Sequence, residues 1–283
     1  MEQARQSGTP FYFVAQESHV GYDRLVNEDC VGSYSTQGGE LFIVANGLSG
    51  PAGGGVASRL AVSAFRKSLA EETGAEPSEM LLKAVAKADA AVIEAGDNYP
   101  ELKGLGVSLV AVLLRNNEAW FVHVGDSRLY LASAGGLRRL TREAGAAAQD
   151  GDGGGDDGDG EKAQSQFLGG AVDVNSLVVG RHYYKADDSF LLSTSGLTSL
   201  IDDQAIGEIL SQKISPQDKA RKLIETSALA GGADNISVQV VAFEPGPDES
   251  GGASFWSGGG FRKFMAGFGC GLILGLILMY ILR

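Results

Sequence analysis

Residues 24–29 read Arg24-Leu25-Val26-Asn27-Glu28-Asp29, and four further short segments follow them along the chain. These are Val44-Ala45-Asn46-Gly47-Leu48-Ser49-Gly50, Val124-Gly125-Asp126-Ser127-Arg128, Leu191-Leu192-Ser193-Thr194-Ser195-Gly196-Leu197 and Gly232-Ala233-Asp234-Asn235-Ile236-Ser237. Gly47, Gly50 and Gly54 read as positions that preserve backbone geometry and helix entry. Asp126 and Arg128 are placed to tie a tight turn together. Asp234-Asn235 opens an apolar run, where a side chain of this kind caps a turn by bonding to nearby backbone.

Outward from these segments, short apolar runs rich in β-branched and aromatic residues predict strands. They are Phe11–Ala15, Leu41–Ala45, Val107–Leu114, Ala119–Val124, Phe190–Ser193 and Ile236–Phe243. Asn116-Asn117-Glu118 lies between two of them and predicts a hairpin turn. Helical periodicity predicts helices over Gly54–Leu69, Ser78–Ala95, Gln204–Leu210 and Pro216–Ala228, with Pro77 and Pro216 where a first turn tolerates proline. Strands come in hairpin-like groups and helices in pairs, which favours an antiparallel α+β arrangement over a doubly wound parallel sheet.

The chain has 283 residues, 44% of them hydrophobic and 20% charged, as an ordered globular protein does. A net charge of -12 argues against a nucleic-acid partner, which calls for a basic stripe. Cys30 and Cys270 are too far apart in sequence to suggest a disulfide framework, and a reducing compartment is expected. The polar stretch Met1–Pro10 has no apolar core of the signal-peptide kind. His19, His123 and His182 match no metal-ligand spacing.

Three segments stand apart. Residues 264–282, FMAGFGCGLILGLILMYIL, carry no charge, and at ~1.5 Å per residue they reach roughly the thickness of a bilayer core. Arg262 and Lys263 precede them, so a C-terminal transmembrane anchor is expected, single-pass, with the preceding domain facing the cytoplasm. Gly267, Gly271 and Gly275 fall on one helical face, a small-residue stripe suited to a homodimer. Residues 246–263 read as a flexible linker and residues 1–245 as the folded domain. Within that domain residues 149–162 form an acidic Gly/Asp-rich loop. It matches a calcium loop at several positions, but it has Gly at the fifth, Asp at the eighth where an apolar residue belongs, and no amphipathic helix ahead of it, so a solvated, disordered acidic loop is expected and calcium binding is the alternative.

The five segments, in this order and spacing, resemble the metal-dependent serine/threonine protein phosphatases of the type 2C class, specifically a degenerate bacterial-type member. The resemblance covers residues 21–243. It implies a sandwich of two antiparallel β-sheets flanked by helices, with a two-ion manganese or magnesium site at one end. Carried over by motif, Glu28, the carbonyl of Gly47 and the bridging position Asn46 would hold one ion. Asn46, Ser195 and Asp234 would hold the other. Asp29 would orient metal-bound water, and Arg24 would clamp the substrate phosphate. A third ion, implied for some bacterial members, would use Asp126 with the positions that are Ser195 and Ser199 here. The family pattern has aspartate at 46 and 195 and acids at 195 and 199 around that third ion, so this chain departs from it at three positions. A further segment, Leu140-Thr141-Arg142-Glu143-Ala144-Gly145, lacks the histidine the family has ahead of its flap.

Charge decides what the departures mean. The family pattern sets four carboxylates against two dications; here only Glu28 and Asp234 remain. Two dications ~4 Å apart repel by about 4 kcal/mol even at the dielectric of water, and an amide oxygen ligates without offsetting that. No cofactor is therefore expected beyond, at most, a single weakly held Mn or Mg ion. Without ions, Glu28 and Asp29 are expected to pair with Arg24. The expected protein is a membrane-anchored pseudophosphatase, a regulatory module that engages a phosphorylated protein or a kinase at the same membrane. The alternative is a weakly active metal-dependent phosphatase for phosphoserine and phosphothreonine.

Overall fold

The computed structural model describes residues 11–48, 53–72, 74–141 and 166–245, which through Glu244 belong to one unit. In chain order the strands are β1 (Phe11–His19), β2 (Asp29–Thr36), β3 (Gly39–Leu48), β4 (Gly106–Arg115), β5 (Glu118–Val124), β6 (Arg128–Ser133), β7 (Gly136–Arg139), β8 (Gly180–Tyr183), β9 (Ser189–Ser193) and β10 (Ile236–Glu244). The helices are α1 (Gly54–Glu71), α2 (Pro77–Asn98), α3 (Ser195–Thr198), α4 (Asp203–Leu210) and α5 (Pro216–Leu229). Every strand and helix foreseen above is present, several with longer ends. Pro77 and Pro216 each stand in the first turn of their helix, as expected. Asn116 and Asn117, at φ 53 and 62, make the two-residue turn between β4 and β5, a turn type that requires positive φ at both positions.

One sheet runs β1-β10-β9-β6-β7 and the other β2-β3-β4-β5-β8, with these strands paired antiparallel throughout. Side chains alternate between the two faces of each strand, and the alternation builds three apolar layers. Leu41, Ile43 and Ala45 of β3 pack with Ala61, Phe65, Leu81 and Val85 of α1 and α2. Leu191, Val238 and Val240 pack with Ile206, Leu223 and Ile224 of α4 and α5. Between the sheets, Phe42, Val44, Val110 and Val112 meet Phe190, Leu192, Val241 and Phe243. β3 is therefore apolar on both faces, which is why it reads as a continuous run rather than an alternating one. Each fully buried Leu, Val or Phe adds roughly 1.5–3 kcal/mol, and truncating Phe190 to Ala would cost about 3–5 kcal/mol.

The same alternation creates the polar end of the sandwich. Carrying the inter-sheet face one step beyond Val31, Phe42 and Val44 reaches Asp29 and Asn46, which are paired across β2 and β3. Beyond Val110 and Leu129 it reaches Ser108 and Ser127, whose hydroxyls lie 2.6 Å apart. Beyond Leu192 it reaches Thr194. An apolar interior thus gives way, in one residue per strand, to a cluster of small polar groups.

The acidic loop at 149–162 with its calcium-loop reading, the linker at 246–263, the anchor at 264–282 and its Gly267, Gly271 and Gly275 lie outside the described residues. Among the described residues no helix is long and apolar enough to cross a membrane.

Candidate functional site

At the polar end, β3 delivers Asn46 and Gly47, the loop before β2 delivers Arg24 and Glu28, the loop before β10 delivers Asp234, and α3 begins with Ser195. Gly47 lies so close to the first turn of α1 that a Cβ there would overlap the Gly54 carbonyl. Gly54 is constrained in turn. A Cβ on it would sit 2.6 Å from Oε1 of Glu28 and 3.0 Å from the carbonyl oxygen of Gly47. The Glu28 carboxylate and the Gly47 carbonyl therefore converge on the bare face of Gly54.

The other half of the site is arranged differently from expectation. Arg24 places Nε 3.0 Å from Oδ1 of Asp234, a partly exposed ion pair. Asn46 is buried, and its Nδ2 donates to Oγ of Ser195 at 3.5 Å, a long contact between two neutral groups. Asp29, expected to turn to Arg24, instead accepts a hydrogen bond from Oγ1 of Thr194 at 3.0 Å through Oδ2. Its Oδ1 is buried without a hydrogen-bond partner among the described residues. Burial above all pushes the Asp29 carboxyl up to about 7. The nearby hydroxyls of Ser237 and Thr194 pull it down less strongly, and the carboxylates of Asp234 and Asp126 push it further up.

Asn235 does most of the local organising. Its Nδ2 donates to the carbonyls of Val20 at 2.6 Å and Val26 at 3.0 Å, and its Oδ1 accepts from the amide of Glu28 at 2.8 Å. One buried amide thereby straps the whole loop that carries Arg24 and Glu28. The amide of Tyr22 adds a bond to the Gly232 carbonyl at 2.6 Å. The Asp234 side chain accepts from the amide of its own neighbour, Asn235, at 2.8 Å, one residue short of the Asx-type turn expected of it.

Asp126 sits exposed in the turn between β5 and β6, with Ser127 below it donating its amide to Oγ of Ser108 at 2.8 Å. Arg128 bonds the Tyr130 hydroxyl at 3.3 Å. Ser199 is exposed after α3 and donates to the Gly196 carbonyl at 3.5 Å. Of the histidines, His19 accepts from the amide of Gly21 at 2.9 Å, His182 lies 3.9 Å from Asp188, and His123 is held low in basicity chiefly by burial.

Thr194, Ser127 and Ser237 lie inside the segments quoted above but no role was read for them there, and Ser108 lies outside those segments, because a single hydroxyl shows no chemistry by its spacing. Strand alternation counted from Phe42 and Leu192 would have found Thr194. Phe167 is the other unforeseen neighbour. A Cβ on Gly125 would come within 2.9 Å of its ring, so the chain after the acidic loop is packed directly on the Gly125–Ser127 turn.

These residues do not fit a two-ion cluster. The bridging position is an amide whose nitrogen faces a hydroxyl, and the Asp234 carboxylate on the far side is held by a guanidinium. Among the described residues no three His, Cys, Asp or Glu side chains are grouped to share an ion. What remains for a single ion is the carboxylate of Glu28 and the carbonyl of Gly47.

A family model described as protein phosphatase 2C matches residues 16–227. The serine/threonine protein phosphatase PstP of Mycobacterium tuberculosis is 31% identical over 231 residues, 80% of this chain. The chain spans 44% of the length of that relative. The serine/threonine phosphatase stp of Listeria monocytogenes is 29% identical over 234 residues, 78% of this chain and 92% of its own length. Among solved structures, the catalytic domain of PstP in complex with two manganese ions superposes with a TM-score of 0.70 at 28% identity, over 83% of this chain and all of that one. The S. agalactiae serine/threonine phosphatase does so with a TM-score of 0.70 at 25% identity, over 83% of this chain and 100% of its own.

Proposed function

The chain belongs to the protein phosphatase 2C family, and from that premise we propose that it is a pseudophosphatase, a binding module that engages a phosphorylated protein or a kinase without turning it over. The observation that carries this reading is Asn46. It stands where the two ions of the family would need a shared carboxylate, and it faces Ser195 rather than a second acid. Two dications without that carboxylate repel each other too strongly to be held together. Arg24 is the candidate contact for a phosphoryl group. Its guanidinium carries five N–H donors in a fork suited to phosphate, and the bond to Asp234 is made through Nε.

The apolar run at 264–282 supports a membrane location with the domain on the cytoplasmic side, and the Gly267, Gly271 and Gly275 stripe supports a dimer through that segment. A leash of the linker's length samples only a few nanometres, on the order of 2–3 nm for a Gly/Ser-rich chain, so the partner is at the same membrane.

The test is manganese-dependent phosphate release from a phosphothreonine peptide by the full chain, beside the Asn46→Asp/Ser195→Asp double variant. Silence from the natural chain with turnover by the variant is expected. Chelator-sensitive turnover by the natural chain would sink the reading. One observation favours a second reading, a weak one-ion phosphatase: Glu28 and the Gly47 carbonyl converge on the face of Gly54. That enzyme would lose its turnover on Glu28→Gln.

A further inference from the structure

The far side of the site has an occupant of its own. We infer that Arg24 is the resident counter-ion of this site. Its guanidinium holds Asp234 where the family's pattern calls for a divalent cation, and it closes that carboxylate to metal. The contact is a charge-assisted one, Nε to Oδ1 at 3.0 Å. Surface ion pairs are usually weakened by the entropy of holding two mobile side chains together. Here the backbone on both sides of Arg24 is already fixed against the segment that bears its partner. Tyr22 bonds to the Gly232 carbonyl, and Val20, Val26 and Glu28 bond to Asn235, the residue after Asp234. Gly21, at φ 83, lies against the carbonyls of Asp234 and Gly232 so closely that no side chain fits there.

The charges agree with this assignment. With Asn46 and Ser195 neutral, the Arg24 guanidinium offsets the charge of the carboxylate it touches, Asp234. A divalent cation arriving at Asp234 would have to break that pair and would then face the guanidinium it had displaced, without the bridging carboxylate that could absorb the repulsion. The assignment is independent of whether the domain binds phosphoproteins.

The test is calorimetric titration of the full chain, in detergent micelles, with Mn²⁺ alone. The natural chain is compared with Arg24→Ala, Arg24→Lys, Asp234→Asn and the Arg24→Ala/Asp234→Asn double variant. Removing the guanidinium is expected to tighten Mn²⁺ binding by about tenfold or more, the order expected for removing one like charge at contact distance. Lysine, which keeps the charge, stays near the natural chain, and the gain disappears when Asp234 is also neutralised. Equal affinity for the natural chain and Arg24→Ala overturns the inference, as does a gain that persists without Asp234. A measurement on the unaltered arginine guards against a variant that fails to fold. The Nε–H proton of Arg24 exchanges slowly with solvent in the natural chain and fast in Asp234→Asn; equal exchange overturns the inference too. Neither readout involves phosphate release, so catalysis by the natural chain would leave this result standing.

Discussion

The side-chain amide of Asn235 donates to the carbonyl of Val20 at 2.6 Å, joining the loop before β2 to the start of β10 across most of the domain's length. With its bonds to Val26 and Glu28, this residue sets where Arg24 and Glu28 stand. The site's geometry therefore depends on a group that would touch neither metal nor phosphate.

Replacing Asn235 by alanine removes three hydrogen bonds and strands backbone groups in a place that is 2% exposed. A loss of roughly 2–4 kcal/mol is expected, since orphaned buried groups cost their full desolvation. Urea unfolding measures it. A loss below about 0.5 kcal/mol, the range of an ordinary surface change, would mean the loop is held by other contacts.

Asp29 makes stability fall as pH rises. Its carboxyl goes from the ordinary 3.8 to about 7 in the folded protein. Between those values the folded state holds a proton that the unfolded chain has released, so stability is full below pH 4, declines up to about pH 7 and is flat above. Asp29→Asn removes that decline, and at pH 8 it is expected to exceed the natural chain by roughly 1–3 kcal/mol. Denaturation midpoints of both proteins at pH 5 and pH 8 decide the matter; parallel behaviour would refute it.

Gly196 has no room for a side chain, because a Cβ would overlap the carbonyl oxygen of Asn235. Gly196→Ala is expected to cost at least ~2 kcal/mol by pushing α3 off β10. Gly135, whose nearest neighbour to a Cβ is 3.7 Å away, is the control, and Gly135→Ala stays within about 0.5 kcal/mol of the natural chain. Similar melting temperatures for the two variants would count against this packing.

Asp89 of α2 is buried and anchors the chain after the acidic loop. Its two oxygens accept from the amides of Gly169 at 2.7 Å and Val172 at 3.0 Å. Asp89→Ala is expected to speed hydrogen exchange at residues 169–172 and to cost roughly 1–3 kcal/mol. Unchanged exchange there would show that Phe167 and Leu168 hold the segment alone.

Legibility in the sequence followed the strength of local patterns. β3, β4 and β10 are long apolar runs, and α1, α2, α4 and α5 repeat at helical spacing, so all were readable. β2 was not. Asp29-Cys30-Val31-Gly32-Ser33-Tyr34-Ser35-Thr36 is an edge strand whose inter-sheet face mixes Asp29 and Ser33 with Val31, and only its pairing with β3 makes it a strand. β8 is four residues long and owes its existence to β5 in the same way.

The residues at positions 46 and 195 are facts of the sequence alone, and with them goes the shared carboxylate of a two-ion site. Covalent identity decides that much, because no fold turns an amide into an acid. What Arg24 pairs with, and how far Asp29 is driven from its ordinary acidity, only the tertiary structure decided. Several acids lay within Arg24's reach by sequence, and the expected partners included Asp29. The strap at Asn235 and the burial between two sheets are made by segments from opposite ends of the domain. Ion pairing and desolvation depend on which groups are brought within a few ångströms and on how much water is left around them, and neither quantity exists until the sheets have closed.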